Sequence, residues 1–360
     1  MIFSRLVSAL WEDKTISKIS VPYSVMQSNN SDIIQDVAET ICYSRLTEAY
    51  MVDNFTESDF KYFGARNGLF RMTPAQGRKN CGSYDPRIRP WFVAAASGPK
   101  DVVLVIDGTN SNGALNVTRD AAIAVVGTLN VNDRFTVMAL TNGVDILLEG
   151  SSTFIPATSE NINDLILLRA TSVNQSNAIE AIRNLMPDGR FDIYTAFETA
   201  FDAISNTLDE GETSDGPIAI LFLSDDQNSE TADTERILGL IDYRTQQFAS
   251  RPVSRNVTIF TYSLGEDSDH DLLKNISCNT GGIYASVKKN EDLVAEMSSY
   301  YELFALGLDR KGVATWAEPY TFFSRDVVGT TVSVPVYDRN FFTNIPAMCT
   351  SNMFVFDTIQ

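Results

Sequence analysis

A chain of 360 residues, 44% hydrophobic and 21% charged, is long enough to fill more than one globular core. Its 28 Lys and Arg against 46 Asp and Glu leave a formal charge of -18, which repels phosphate backbones, and no basic patch offsets it, so nucleic acid is excluded as a partner. The single histidine, His270, argues against histidine-ligated metal centres and most Ser-His or Cys-His hydrolase schemes, and no run of about 18 apolar residues provides a membrane-spanning helix.

Residues 1 to about 55 read as helical, with Ile34, Val37, Ala38, Ile41 and Leu46 recurring at three or four. The stretch FKYFGARNGLFRMTPA then predicts a hairpin around Asn67-Gly68. GSYDPRIRPWF follows, dense in Pro, Arg and aromatics, and the character changes again at Gly98-Pro99-Lys100. From Asp101, strands alternate with helices. DVVLVI (101–106) is a continuous apolar run of the kind a buried parallel strand needs. A helix is expected from Leu115 to Leu129, a strand at RFTVMAL and an antiparallel neighbour at VDILLE. Helices follow at 173–186 and 195–208, then the buried strand PIAILFLS and a helix over 233–248. The strand VTIFTYSLG, a short helix from 267, GIYASV and a helix to about 305 close the series. Such alternation predicts an α/β, doubly wound, mostly parallel sheet with helices on both faces. After Leu306-Gly307, strand character returns in TWAEPYTFF, GTTVSVPVYD and MFVFD. The expected division is 1–97, 98–305 and 306–360.

The four cysteines, Cys42, Cys81, Cys278 and Cys349, lack any CxxC spacing, which leaves buried thiols or long-range disulfides. N-x-[ST] sequons begin at Asn29, Asn54, Asn116, Asn174, Asn256 and Asn275. The start, MIFSRLVSALWEDK, has too short an apolar run for a secretion signal, and the end, MFVFDTIQ, reads as a strand without a turn or cap. The expectation is a fragment of a longer protein. His270 reads as a solvated first-turn residue of a helix.

The first buried strand ends in Asp107, followed at +2 and +4 by Thr109 and Ser111; the second ends in Ser224-Asp225-Asp226. Oxygen donors beyond central parallel strands point into the crevice where doubly wound sheets bind ligands, and hard donors without His or thiolate suit Mg²⁺, Ca²⁺ or Mn²⁺. The same spacing also suits a cap of the next turn and helix.

DVVLVIDGTNS, the helix after it and LFLSDD resemble a von Willebrand factor A domain with its metal-ion-dependent adhesion site. The resemblance implies Asp107, Thr109, Ser111 and Asp225 as ligands of Mg²⁺ or Ca²⁺, with Asp192 as a further candidate. Where the family places a metal-binding Thr, GRFDIYTAF has Phe191, and Thr195 is out of register. The flanks YFGARNGLFRMTPA, YDPRIRPWF, WAEPY and TTVSVPVYD resemble the alpha-2/delta auxiliary subunits of voltage-gated calcium channels, in which an A domain is inserted into a Cache-like α+β domain. That likeness implies a non-enzymatic, glycosylated binding module at the extracellular face of the plasma membrane, anchored by segments outside this chain. Its expected partner is a membrane protein, such as a channel pore subunit, engaged through an acidic residue. It also implies a site for an amino-acid-like ligand: Tyr84, Arg89 and Trp91 match the family's spacing, with Tyr320 and Asp357 following in order. There Arg89 would grip a carboxylate and Asp357 the ammonium, with Trp91 and the tyrosines as walls. The competing readings are a Cache-type sensor, with the A domain as output, and an intracellular A-domain scaffold. No nucleophile–base pair or phosphate-binding glycine loop supports an enzyme.

Overall fold

The computed structural model describes residues 17–53, 61–73, 75, 84–109, 114–189, 192–224, 234–253, 255–264, 271–287, 300, 315–316, 320–321, 328–336 and 353–359. These fall into two compact units, one drawn from Met1–Gly98 and Phe304–Gln360, the other from Pro99–Leu303.

The first unit opens with strand β1 (Lys18–Ser20) and a single helical turn, α1 (Tyr23–Met26). The long helix α2 (Ser31–Asp53) begins only after Asn29-Asn30, where Asn30 Oδ1 accepts the Asp32 amide at 2.9 Å. The continuous helix expected over the first 55 residues is thus interrupted by a strand and a turn, and residues 1–16 lie outside the described set. Val37, Thr40, Ile41 and Ser44 form the inward stripe of α2, at the spacing that keeps side chains on one face.

Strands β2 (Lys61–Gly64) and β3 (Phe70–Thr73) make the expected antiparallel hairpin, and β1 adds to the free edge of β3. Gly68 has φ +83°, and its N–H donates to the Ala65 carbonyl at 2.9 Å. Asn67 Nδ2 reaches Asp36 Oδ2 (2.9 Å) and Thr40 Oγ1 (2.7 Å), pinning the hairpin tip to α2.

The Pro-rich stretch is more ordered than its composition predicts. Asp85 caps a 3-10 turn over Pro86–Ile88, and helix α3 (Pro90–Ser97) starts with Pro at N1 and stops at Gly98, φ +66°.

The second unit is the alternating one. Strand β4 (Asp101–Asp107) leads into α4 (Ala114–Thr128), β5 (Arg134–Thr141) and the antiparallel β6 (Gly143–Ile146). Two short strands, β7 (Ile155–Pro156) and β8 (Leu168–Arg169), extend the sheet without any sequence signal for them. Helices α5 (Ser172–Asn184) and α6 (Ile193–Asp209) precede β9 (Ile218–Ser224). Then come α7 (Thr234–Ala249), β10 (Val257–Leu264), α8 (Asp271–Asn279) and β11 (Tyr284–Val287).

The sheet order is β11-β10-β9-β4-β5-β6-β7, with β8 also on β5 and every pairing from β11 to β5 parallel. β4, β5 and β9 are buried along their whole lengths, which is why they read as unbroken apolar runs. Phe197 of α6 stacks on Phe222 of β9 at 5.2 Å within that core. The chain runs outward from β4 to β5 on one side and from β9 to β10 and β11 on the other. The switch between those directions opens a crevice beyond the ends of β4 and β9.

A buried ion pair occupies the opposite end of the sheet. Lys100 Nζ lies 3.0 Å from Asp133 Oδ2, with both side chains 0% exposed. Asp133 also accepts the Lys100 amide (3.1 Å), the Asn130 amide (2.8 Å) and Asn130 Nδ2 (3.1 Å). Burial pushes its carboxyl above the usual carboxylate range, against the pull of Lys100. Asp101 is raised for the same reason, opposed chiefly by the Thr213 hydroxyl. Burial also raises the Tyr300 phenol, whose oxygen lies 3.1 Å from Thr128 Oγ1.

Returning to the first unit, β12 (Thr315–Trp316), β13 (Tyr320–Thr321), β14 (Val328–Val336) and β15 (Met353–Ile359) form an antiparallel sheet around β14. Tyr62 of β2 and Thr331 of β14 share a buried hydroxyl–hydroxyl bond of 2.6 Å.

Candidate functional site

The register of β4 on β9 sets Ile106 opposite Leu223, so the next residues, Asp107 and Ser224, sit side by side at the crevice. The Ser224 hydroxyl donates to Asp107 Oδ2 at 2.7 Å. The other carboxylate oxygen, Oδ1, accepts the Thr109 amide at 2.9 Å and the Thr109 hydroxyl at 2.7 Å. Asp107 is 1% exposed. Among the described residues no basic side chain forms an ion pair with it. Among the described residues this buried carboxylate meets only hydroxyl and amide donors, an oxygen-rich setting that suits a divalent cation.

The loop before α6 is tied to the same face. Asp188 donates its amide to the Gly108 carbonyl at 3.3 Å, and Arg119 of α4 donates to the Leu185 carbonyl. Gly189 has φ +67°, and a β-carbon there would meet the Asn142 backbone and side chain at 2.6–2.8 Å. This loop leads to Asp192, the N-cap of α6. Asp192 accepts the Tyr194 amide (3.1 Å), the Thr195 amide (3.3 Å) and the Thr195 hydroxyl (2.9 Å). Asp192 therefore caps α6, and Thr195 serves that cap.

Asp107 and Thr109 are thus brought together. Ser111, Asp225 and Phe191 lie outside the described residues, as does His270. Ser224 was not singled out as a site residue. Its signal was available, because a polar residue ending an apolar run beside another buried strand has to find a partner there.

The von Willebrand factor type A domain family model matches residues 101–299. The chain belongs to this family. Over most of its length, A domain included, the chain is 23% identical over 346 residues to the voltage-dependent calcium channel subunit alpha-2/delta-3 of Rattus norvegicus, covering 90% of this chain and 29% of that protein. It is 24% identical over 344 residues to the alpha-2/delta-4 subunit of Homo sapiens, covering 90% and 28%. The chain is homologous to these subunits and spans less than a third of their length. Among solved structures, a von Willebrand factor type A protein from Catenulispora acidiphila matches with a TM-score of 0.42 and 14% identity, over 72% of this chain and 57% of that one.

Outside the A domain, Tyr84, Arg89 and Trp91 gather around one aromatic cluster. The Arg89 guanidinium carbon lies 4.7 Å from the centre of the Tyr84 ring. Phe70 bridges Tyr84 (4.4 Å) and Trp91 (6.4 Å), and Trp91 is 1% exposed. The spacing of these residues follows from the 3-10 turn and the start of α3, with Arg89 at the junction of the two. Tyr320 and Asp357 fall on β13 and β15, each paired with β14; their side chains lie outside the described set.

Cys42 and Cys278 are exposed free thiols, not the buried thiols or long-range disulfides expected. Cys42 lies off the inward stripe of α2. Cys278 lies off the buried face of α8, which consists of Leu273, Ile276 and Ser277. Cys81 and Cys349 lie outside the described residues. Among the described residues no helix is long and apolar enough to cross a membrane.

Proposed function

We propose that the chain is a non-enzymatic binding module whose A domain engages an acidic residue of a membrane protein through Mg²⁺ or Ca²⁺. Asp107 and Thr109 would hold the ion from the tip of β4. Ser111 and Asp225 would complete the oxygen set from the loops after β4 and β9, and Asp192 would act from the cap of α6. The bound ion would supply a positive charge for the partner's carboxylate; Ser224 and the Asp188–Gly108 contact keep the ligand face in place. The observation that carries this reading is the burial of Asp107 between hydroxyl and amide donors at the tip of β4, with no basic partner among the described residues.

The test is thermal unfolding in rising Mg²⁺ or Ca²⁺. A micromolar site raises the midpoint at millimolar metal, because a ligand about a thousandfold over its dissociation constant stabilises by roughly 4 kcal/mol. Asp107→Ala abolishes that rise. A wild-type midpoint indifferent to both ions defeats the reading.

The homologues are calcium channel subunits by name, which supports a channel pore subunit as the partner and the extracellular face of a membrane as the setting. The sequon residues Asn29, Asn116, Asn256 and Asn275 are exposed, so their positions accommodate glycans. Glycan mapping by mass spectrometry on secreted material checks this setting.

A second reading applies to the other unit, taken as a Cache-type domain. The stacking of Arg89 on Tyr84 pre-positions a guanidinium to bind a ligand carboxylate. Calorimetric titration of free amino acids tests it, and Arg89→Ala must abolish any binding observed.

A further inference from the structure

Strand β5 has no continuous neighbour on the side away from β4. β4 is paired with it from Arg134 to Leu140. On the other side, β6 accompanies it only over Met138–Thr141 and β8 only over Arg134–Phe135. Thr136 and Val137 fall in the gap between the two.

A cavity of about 10 Å³ adjoins this gap, bounded by β5, β8, α5 and the turn after β6. Phe135, Leu147 and Leu168 give it buried apolar walls, and Asn174 and Asn177 of α5 supply amides. Thr136 lines the same cavity. It is 2% exposed, and among the described residues its hydroxyl has no hydrogen-bond partner. A hydroxyl that gives up its hydration without gaining another bond is costly. Valine, branched at the same carbon, would occupy this position of the apolar run RFTVMAL without that cost.

The cavity offers the room that one water molecule needs. Its polar groups also suit a water. The Thr136 hydroxyl can both donate and accept. Asn174 Nδ2 donates to the Arg169 carbonyl at 3.0 Å, which leaves Oδ1 to accept, and Asn177 adds a second amide. Among the described residues lining the cavity none is charged, so the setting favours a neutral ligand over an ion.

We propose that this cavity is a binding site for a single internal water, held by the Thr136 hydroxyl and the amides of α5. The water bridges the sheet and α5 where no strand lies alongside β5. It is independent of any metal at Asp107.

Crystals of the full chain that diffract well enough to show ordered water test the site directly. Wild type shows one peak of density within hydrogen-bond distance of Thr136 Oγ1 and of the Asn174 or Asn177 side chain. Thermal unfolding supplies a second test, in which the sign decides. Thr136→Val keeps the shape and removes the hydroxyl. With a resident water, the variant leaves that water one partner short. The midpoint then falls by about 2–4 °C, the shift that one lost hydrogen bond gives in a domain of this size. Without a water, the same change removes an unsatisfied group and the midpoint rises. Thr136→Ser keeps the hydroxyl and therefore keeps the density. No peak in wild type, or a Thr136→Val chain at least as stable as wild type, overturns the proposal.

Discussion

Ser224 donates its hydroxyl to Asp107 Oδ2 at 2.7 Å across the ends of neighbouring parallel strands. This bond gives the buried carboxylate a fixed orientation, with Thr109 holding its other oxygen.

Ser224→Ala removes a donor to a buried charged group. The expected cost is about 2 kcal/mol of A-domain stability, in the range for charge-assisted hydrogen bonds. Urea unfolding without metal measures it. A loss below a few tenths of a kcal/mol would mean that Oδ2 finds another donor.

The Lys100–Asp133 pair predicts an asymmetric response. Lys100→Met leaves a fully buried carboxylate without its cation, and the expected cost at neutral pH is about 3–5 kcal/mol. The defect shrinks as pH falls, because protonating Asp133 removes the stranded charge. Chemical denaturation of wild type and variant at neutral and mildly acidic pH checks both size and trend.

Asp101 gives a prediction of defined sign. Its carboxyl is raised by burial, so its contribution favours the folded state below the unfolded value of 3.8 and is lost as pH rises through the folded one. Asp101→Asn cannot titrate. The stability of the variant relative to wild type therefore increases with pH across that window, and denaturation curves at a series of pH values read it directly. A difference independent of pH would show that the carboxyl is not raised.

Gly189→Ala tests the loop that leads to Asp192. Gly189 has a positive φ, and an added β-carbon would press into Asn142. Strain and overlap together destabilise by about 1–3 kcal/mol. If Asp192 supports the ion, the metal-induced rise in midpoint also falls. A variant as stable as wild type would show that the loop relaxes freely.

Much of the A-domain sheet was legible in the sequence. DVVLVI, RFTVMAL and PIAILFLS form strands buried on both faces, and only unbroken apolar runs satisfy that environment; VTIFTYSLG supplies a further strand of the same sheet. The Asn67-Gly68 turn was legible because it demands a positive φ. The short strands β1, β7 and β8 were not, since two or three residues carry no period. Helix α3 was obscured by the density of Pro and Arg before it, although Pro90 and Gly98 are ordinary start and stop signals.

By itself, the sequence determined where the apolar runs lie and therefore the alternation of strands and helices, because burial acts on each segment through its own composition. Which strand tips become neighbours was decided only by the tertiary structure. Asp107 and Ser224 are 117 positions apart, and Lys100 and Asp133 are 33. Those pairings depend on the order and register of strands in the sheet, a property of all the segments packed together and of none of them alone.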